Sequence, residues 1–338
     1  MKTKYRILFF LIGIAGIVFL AAEAVPDKSD WSELLTPRLP FLLFGLLLLW
    51  AVIYAVHTTV YLVIMGKEAA SLVGFLPMYR ICISGFAINN VTPAGIVGGE
   101  PYRILELKAY LPTGKATSSA MTFNLIHMLG HMMLWITGAL VYLTLGCPGN
   151  SLTTVLLMTA AVLLLAVCIW FFRKNQSGFV VPAVRFFARL PLIGKKIAAF
   201  ADKYGETLEE TDRCYSEFCA DRGRLYKAVL MEYGTRLLES AEYFLIFLYL
   251  GINIHFTGGI LVLTFASLIG NLLFIIPMQA GTREGGIVLA LACLGFDMEH
   301  AVMGGLIFRV RDLLCIAAGI LLILIGGKKK QKSKQEKG

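Results

Sequence analysis

Apolar residues dominate this chain in long runs, near 5–25, 39–65, 71–88, 117–146, 152–172, 225–250, 257–276 and 300–326. A helix rises about 1.5 Å per residue, so about 20 such residues cross the roughly 30 Å hydrocarbon layer of a bilayer. The pattern predicts an all-α fold, a polytopic transmembrane helix bundle. Two weaker stretches, 89–112 and 277–298, are rich in glycine, proline and charge. They are predicted to be re-entrant or broken helical segments. The first run follows Lys2, Lys4 and Arg6, in the manner of a secretory signal. Its length and the spans behind it favour a retained helix.

One sizeable polar segment remains, 173–224. Phe186, Phe187, Leu190, Leu192 and Ile193 alternate there with Arg185, Arg189, Lys195 and Lys196, before an acidic run around Glu206–Asp212. It reads as an amphipathic cytoplasmic element, too short and too poor in strand pattern for a catalytic domain. Residues 1–327 thus form the membrane domain and 328–338 a polybasic tail suited to anionic headgroups.

Composition agrees. Of the 338 residues 57% are hydrophobic and only 16% charged, with a mean hydropathy of +0.73; a soluble domain carries roughly 25% charge. The net charge of +9 gathers at the two ends and in 173–224, beside apolar runs. That distribution follows the positive-inside rule and excludes a nucleic-acid face. Loop 26–38, with Asp27, Asp30 and Glu33 against Lys28 and Arg38, falls outside. Both termini are then cytoplasmic, in the cell membrane, and the number of crossings is even. None of the seven cysteines forms a CxxC pair, so neither a redox motif nor a disulfide framework is indicated.

Unpaired backbone polar groups at membrane depth each cost several kcal/mol unless protein or water satisfies them. The stretch Asn89–Arg103 is informative for that reason. Pro93 and Pro101 interrupt helix bonding, and Gly95, Gly98 and Gly99 permit tight turns. Its freed amides suit an anionic headgroup. Arg103 suits a two-pronged grip on phosphate, and Glu100 either orients Arg103 or binds a cation. The bland alternative is a cytoplasmic loop. The second stretch, Ile275–Gly286, again combines proline (Pro277), glycine (Gly281) and an Arg/Glu pair (Arg283, Glu284). Two broken elements in different halves of a membrane chain point to a transport site between them.

Charges also enter the spans. Glu232, Arg236, Glu239 and Glu242 follow at intervals of four, three and three, along one helix face. Arg236 is expected to pair internally, in a seam that is either functional or a buried bridge. Arg309, Arg311 and Asp312 interrupt the last run; Arg309 and Asp312, at i and i+3, either neutralise each other, or an arginine reaches into a central cavity. Asn124, His127 and His131 share a face. His-x3-His can hold zinc, but no HExxH glutamate accompanies it, and interhelical hydrogen bonding is the commoner use. No metal and no cofactor are expected.

Together the two broken stretches resemble a flippase-like family typified by the transmembrane region of lysylphosphatidylglycerol synthases. The resemblance rests on Asn90-Val91-Thr92-Pro93 with Gly98-Gly99-Glu100-Pro101-Tyr102-Arg103, on Pro277 with Gly281-Thr282-Arg283-Glu284-Gly285, and on Arg309 with Gly319 in the last run. It departs at Met278 and Gln279, where the family usually has two glycines. No aminoacyl-transfer domain follows, so the chain is not expected to make lysyl lipid. The resemblance implies a membrane unit that binds or translocates an anionic or modified lipid, phospholipid or isoprenoid-linked. It acts alone, as a homo-oligomer, or with a partner lipid synthase or glycosyltransferase. The expected substrate-binding residues are Asn90, Pro93, Gly98, Gly99, Glu100, Arg103, Arg236, Glu239, Pro277, Gly281, Arg283, Glu284 and Arg309. No Walker motif is present, and the chain is expected not to be an enzyme. A membrane-embedded enzyme acting on lipid headgroups, or an accessory subunit, is the alternative.

Overall fold

A computed structural model describes residues 36–91, 99–146, 151–174, 178, 180–189, 194–272, 279 and 281–335. The described residues are all-α: α1 Leu39–Met65, α2 Lys67–Val73, α3 Phe75–Val91, α4 Gly99–Leu107, α5 Thr113–Thr144, α6 Ser151–Lys174, α7 Val180–Phe187, α8 Gly194–Ala220, α9 Arg222–Tyr249, α10 Phe256–Leu272, α11 Thr282–Cys293 and α12 Met298–Gln335. The predicted run 5–25 lies outside the described residues, as do Pro93, Gly98 and Pro277.

Among the described residues three helices, Leu39–Met65, Thr113–Thr144 and Thr154–Arg173, are long and apolar enough to cross a membrane, and a fourth span results if α2 and α3 act as one, bent by 80°. Of the seven apolar runs that fall among the described residues, not all meet that standard. For two of them the physical reason lies in α9 and α10. Helix α9 has the length but carries Glu232, Arg236, Glu239 and Glu242, while α10 is a shorter apolar helix of 17 residues.

Helix α9 is the central element. It packs on α1, α5, α10 and α12, and its Glu232, Arg236, Ser240 and Glu242 are buried. Two apolar cores form around it. One gathers the C-terminal halves of α5 and α9 with α10, α11 and α12; the other gathers the end of α1, the start of α3, the first half of α5 and the first half of α9. Helix α6 leans mainly on α5, with Phe172 near its end stacked on Tyr226 of α9, and exposes Leu156, Val162 and Leu163, as a lipid-facing helix does.

The two broken stretches become helical hairpins. Helix α4 doubles back on α3: the Gly99 amide donates to Asn89 Oδ1 at 2.8 Å, and Arg80 bonds Glu106 at 3.2 Å. Helix α11 packs in the same way on α10. At about 1.5 Å per residue neither α4, with 9 residues, nor α11, with 12, reaches across a bilayer. Glycine permits both contacts. A Cβ at Gly99 would lie 2.5 Å from the Gly85 carbonyl oxygen, and one at Gly286 would lie 2.6 Å from Ala266 Cα.

The polar segment folds into α7 and α8. Its acidic run has structural work: Glu210 accepts from the Gly114 amide at the start of α5, and Asp212 accepts from the Val180 and Val181 amides opening α7. A carboxylate at a helix N-terminus satisfies free amides and complements the dipole.

Gly99→Ala and Gly286→Ala are each expected to cost about 1–3 kcal/mol by overpacking, visible as a lower melting temperature in detergent. Gly45, whose Cβ would meet nothing within 4 Å, should accept alanine without loss.

Candidate functional site

The hairpins meet at a cavity of about 390 Å³ bounded by α1, α3, α4, α5, α9, α10, α11 and α12. Among its lining residues are the guanidiniums of Arg103, Arg236, Arg283 and Arg311 and the carboxylates of Glu100, Glu239, Glu242 and Asp312. Trp50, Tyr54, Phe86, Phe123 and Phe308 supply an aromatic wall. Buried charges are tolerated only in pairs, and the described pairs fall into three groups.

The first group lies on the α3–α4 hairpin. Arg103 bonds Glu100 one turn before it, and its guanidinium lies 5.9 Å from the ring centres of Tyr61 and Phe123. Stacking on aromatic faces suits arginine, whose charge is delocalised and weakly hydrated.

The second group joins α1, α5 and α9. Glu232, with no exposed side-chain surface, accepts from His57 Nδ1 at 3.0 Å and His127 Nδ1 at 2.6 Å. Arg236 donates to Glu232 at 3.1 Å and to Glu239 at 2.7 Å, and reaches His131 Nε2 at 3.2 Å. The expected internal pairing of Arg236 is present, and His127 and His131 bond between helices.

The third group ties α9, α11 and α12. Arg311 bonds Glu242, and bonds Asp312 at 2.7 Å; Arg283 bonds Asp312 at 2.8 Å. Both guanidiniums lie 5.0 Å from the Phe308 ring centre.

Of the residues expected to bind substrate, Asn90, Glu100, Arg103, Arg236, Glu239 and Arg283 line the cavity. Gly99 instead packs the start of α4 against Gly85 and Asn89 of α3. Two further residues of that set lie elsewhere. Glu284 does not line the cavity: in the first turn of α11 it accepts the Gly281 amide at 2.9 Å and Arg309 Nε at 2.6 Å. Arg309 therefore does not neutralise Asp312, which Arg283 and Arg311 hold, and lies outside the lining. Gly281, at φ +75°, shapes the turn before α11.

Sequence reasoning missed His57 and Gln279 as site residues and left Arg311 and Asp312, singled out in the last run, off the expected binding residues. His57 was detectable as an ionisable group within an apolar span, and Arg311 and Asp312 likewise. Gln279 replaces a family glycine at φ +53°, a left-handed conformation that non-glycine residues seldom adopt. Its side-chain oxygen accepts from Arg283 at 3.3 Å, bringing an amide to the cavity wall.

His57, His127 and Glu232 offer three ligand atoms within 4.8 Å of one another, a spacing compatible with a divalent cation. The Arg236 guanidinium already occupies that neighbourhood, with Nη2 3.1 Å from Glu232 Oε1 and 3.4 Å from His127 Nδ1. These atoms thus already hold a cation, supplied by the protein. Elsewhere on the wall, Trp50 Nε1, Glu100 Oε2, Arg103 Nε, His131 Nδ1 and Arg236 Nε are buried with no hydrogen-bond partner among the described residues. Such atoms carry a desolvation cost of about 1–3 kcal/mol each unless water or a ligand meets them.

Fold and site together define an integral membrane helix bundle enclosing a polar chamber. The chain belongs to the lysylphosphatidylglycerol synthase TM region family, whose model matches residues 6–319. No curated protein matches it. Membership makes it a membrane protein linked to lipid handling.

The third charge group yields a stability prediction. Arg311→Met leaves Glu242 buried without its cation and should cost about 3–5 kcal/mol, since breaking a buried pair is far costlier than removing it whole. Adding Glu242→Leu to Arg311→Met should restore much of the lost melting temperature.

Proposed function

We propose that the chain moves a lipid between membrane leaflets by passing its headgroup through the cavity while the acyl chains stay in the surrounding hydrocarbon. The substrate class is an anionic or modified lipid whose headgroup or isoprenoid linkage carries phosphate. The observation that carries this reading is the meeting of both hairpins at one chamber with four arginines, at the level of otherwise apolar helices. A charged side chain alone at mid-bilayer costs about 2.5–3.5 kcal/mol on the mildest scale. Bidentate guanidinium contacts lower that cost for phosphate, and the unpartnered Nε1–H of Trp50 and Nε–H groups of Arg103 and Arg236 on the wall offer further donors.

In this reading Arg103 and Arg283 receive the phosphate from opposite hairpins, with Arg236 between them. Each arginine is held in place by a carboxylate, so the path is already shaped before lipid enters. The chain catalyses no covalent step. A second reading, a membrane-embedded enzyme acting on headgroups, draws on the His57–Glu232–His127 trio. It is less favoured because the Arg236 guanidinium fills the place a catalytic metal would need. Partnership with a lipid synthase or glycosyltransferase is compatible with either reading, as is a homo-oligomer in the cell membrane with both termini in the cytoplasm.

Arg283→Ala should abolish leaflet exchange of labelled phosphatidylglycerol in proteoliposomes while the protein stays folded, because Asp312 keeps its bond to Arg311. Exchange at the wild-type rate would remove Arg283 from the path and count against the cavity as the route.

A further inference from the structure

The charges around the cavity do not balance once the carboxylate just behind its wall is included. The lining holds four guanidiniums and four carboxylates, and Glu232 adds a fifth carboxylate in direct contact with Arg236. With the imidazoles neutral the sum is four positive against five negative, a net charge of −1. Every one of these guanidiniums is already bonded to a carboxylate: Arg103 to Glu100, Arg236 to Glu232 and Glu239, Arg283 to Asp312, and Arg311 to Glu242 and Asp312. A phosphate that takes one of these guanidiniums competes with the carboxylate already bonded to it, and its arrival deepens the negative excess. In a low-dielectric site that excess must be compensated.

The groups placed to compensate are imidazoles, whose ordinary proton affinity lies near neutrality. His127 is the best placed. Its side chain is 34% exposed whereas that of His57 is 5% exposed, so protons reach it from the cavity. It also shares an acceptor with Arg236: Glu232 Oε1 lies 2.6 Å from His127 Nδ1 and 3.1 Å from Arg236 Nη2. The same Arg236 nitrogen lies 3.4 Å from His127 Nδ1, a separation that opposes two full positive charges. If phosphate draws the guanidinium toward the cavity, that opposition ends. Glu232 then lacks a cation, and an imidazolium at His127 replaces it.

The surroundings fit this exchange. His127 faces His57 from α1, His131 from its own helix, and Glu232 and Arg236 from α9. Across the cavity stand Glu100 and Arg103 of α4, Arg283 of α11 and the Glu242–Arg311–Asp312 group, with Glu239, Tyr54, Tyr61, Cys82 and Tyr243 completing the titratable wall. His57 and His131 are less suited to the role, since each turns its Nε2 toward an Arg236 nitrogen and a proton there would meet a donor.

We propose that His127 takes up a proton when the phosphate of a lipid headgroup engages Arg236, so that headgroup binding in the cavity is proton-coupled. This rests on the lipid-handling reading above and adds to it the ion that accompanies the substrate. The proton comes from cavity water and adds to the neutral ring, whose Nδ1–H stays on Glu232. No covalent bond to the lipid forms or breaks. Linkage is reciprocal: phosphate strengthens proton binding and the proton strengthens phosphate binding by the same factor.

Calorimetric titration of the full chain in detergent micelles with dihexanoylphosphatidylglycerol tests this, at pH near 7 in several buffers of different ionisation enthalpy. The wild type should take up about one proton per lipid bound, read as the slope of heat against buffer enthalpy. His127→Gln, which keeps a hydrogen-bonding side chain, should lose most of that slope, and Glu232→Gln should lose it too. Binding by the wild type without a slope overturns the coupling and leaves the lipid reading standing; no binding heat at all overturns both. A slope retained in both variants overturns the assignment to this cluster. A slope that disappears in chelator assigns the trio to a metal and also overturns the proposal. Uptake with inorganic phosphate and none with the lipid would assign the site to a soluble anion, with the same consequence.

Discussion

A charge carried into an apolar bundle must find an opposite charge, and the bond between Arg236 and Glu232 is where this chain meets that demand most fully. Glu232 has no exposed side-chain surface and takes bonds from α1, α5 and its own helix. Removing any donor would leave a carboxylate in a medium where an unpaired charge costs several kcal/mol. The cluster therefore fixes how α1, α5 and α9 sit together. The two apolar cores lie on either side of it, and the cavity is the space that the cluster and the Glu242–Arg311–Asp312–Arg283 group keep open between them.

This division of labour accounts for the hairpins. A short helix that turns back inside the bundle exposes its turn and termini, which lipid does not tolerate but a polar chamber does. Gly99 and Gly286 let α4 and α11 approach the backbones of α3 and α10 closely. The remaining charges of the second motif hold the turn itself: Glu284 bonds both the Gly281 amide and Arg309, and Arg309 reaches the Gln279 carbonyl at 3.5 Å. One arginine of that motif serves the cavity and its acidic neighbour serves the fold, although the two are adjacent in sequence.

Much of this was legible in the residues. Runs of apolar side chains gave the helical class, and the glycines at Gly99 and Gly286 marked where short helices pack closely on their neighbours. Spacing of i−4 and i+3 around Arg236 was enough to predict its partners, because those positions share a face of one helix. Spacing left two readings open at Arg309 and Asp312. They also stand one turn apart, but Arg309 meets the first turn of α11, and Asp312 meets Arg283 and Arg311. Periodicity identifies neighbours along a helix and is silent about which packed helix competes for them. His57 escaped notice for the same reason, since its partner Glu232 lies 175 positions away. Gln279 looked like a mere departure from glycine; its left-handed backbone explains why glycine suits the position, and its contact with Arg283 shows what the larger side chain adds.

The central claim is that a lipid headgroup occupies the chamber between the hairpins. A photoreactive benzoylphenylalanine at Asn124, on the cavity wall, with a second at Leu163 on the lipid-facing side of α6, tests it in native membranes. Mass spectrometry after irradiation should find lipid attached through its headgroup at position 124 and through acyl chains at position 163. Acyl attachment alone at both positions, or none at 124, would contradict the account.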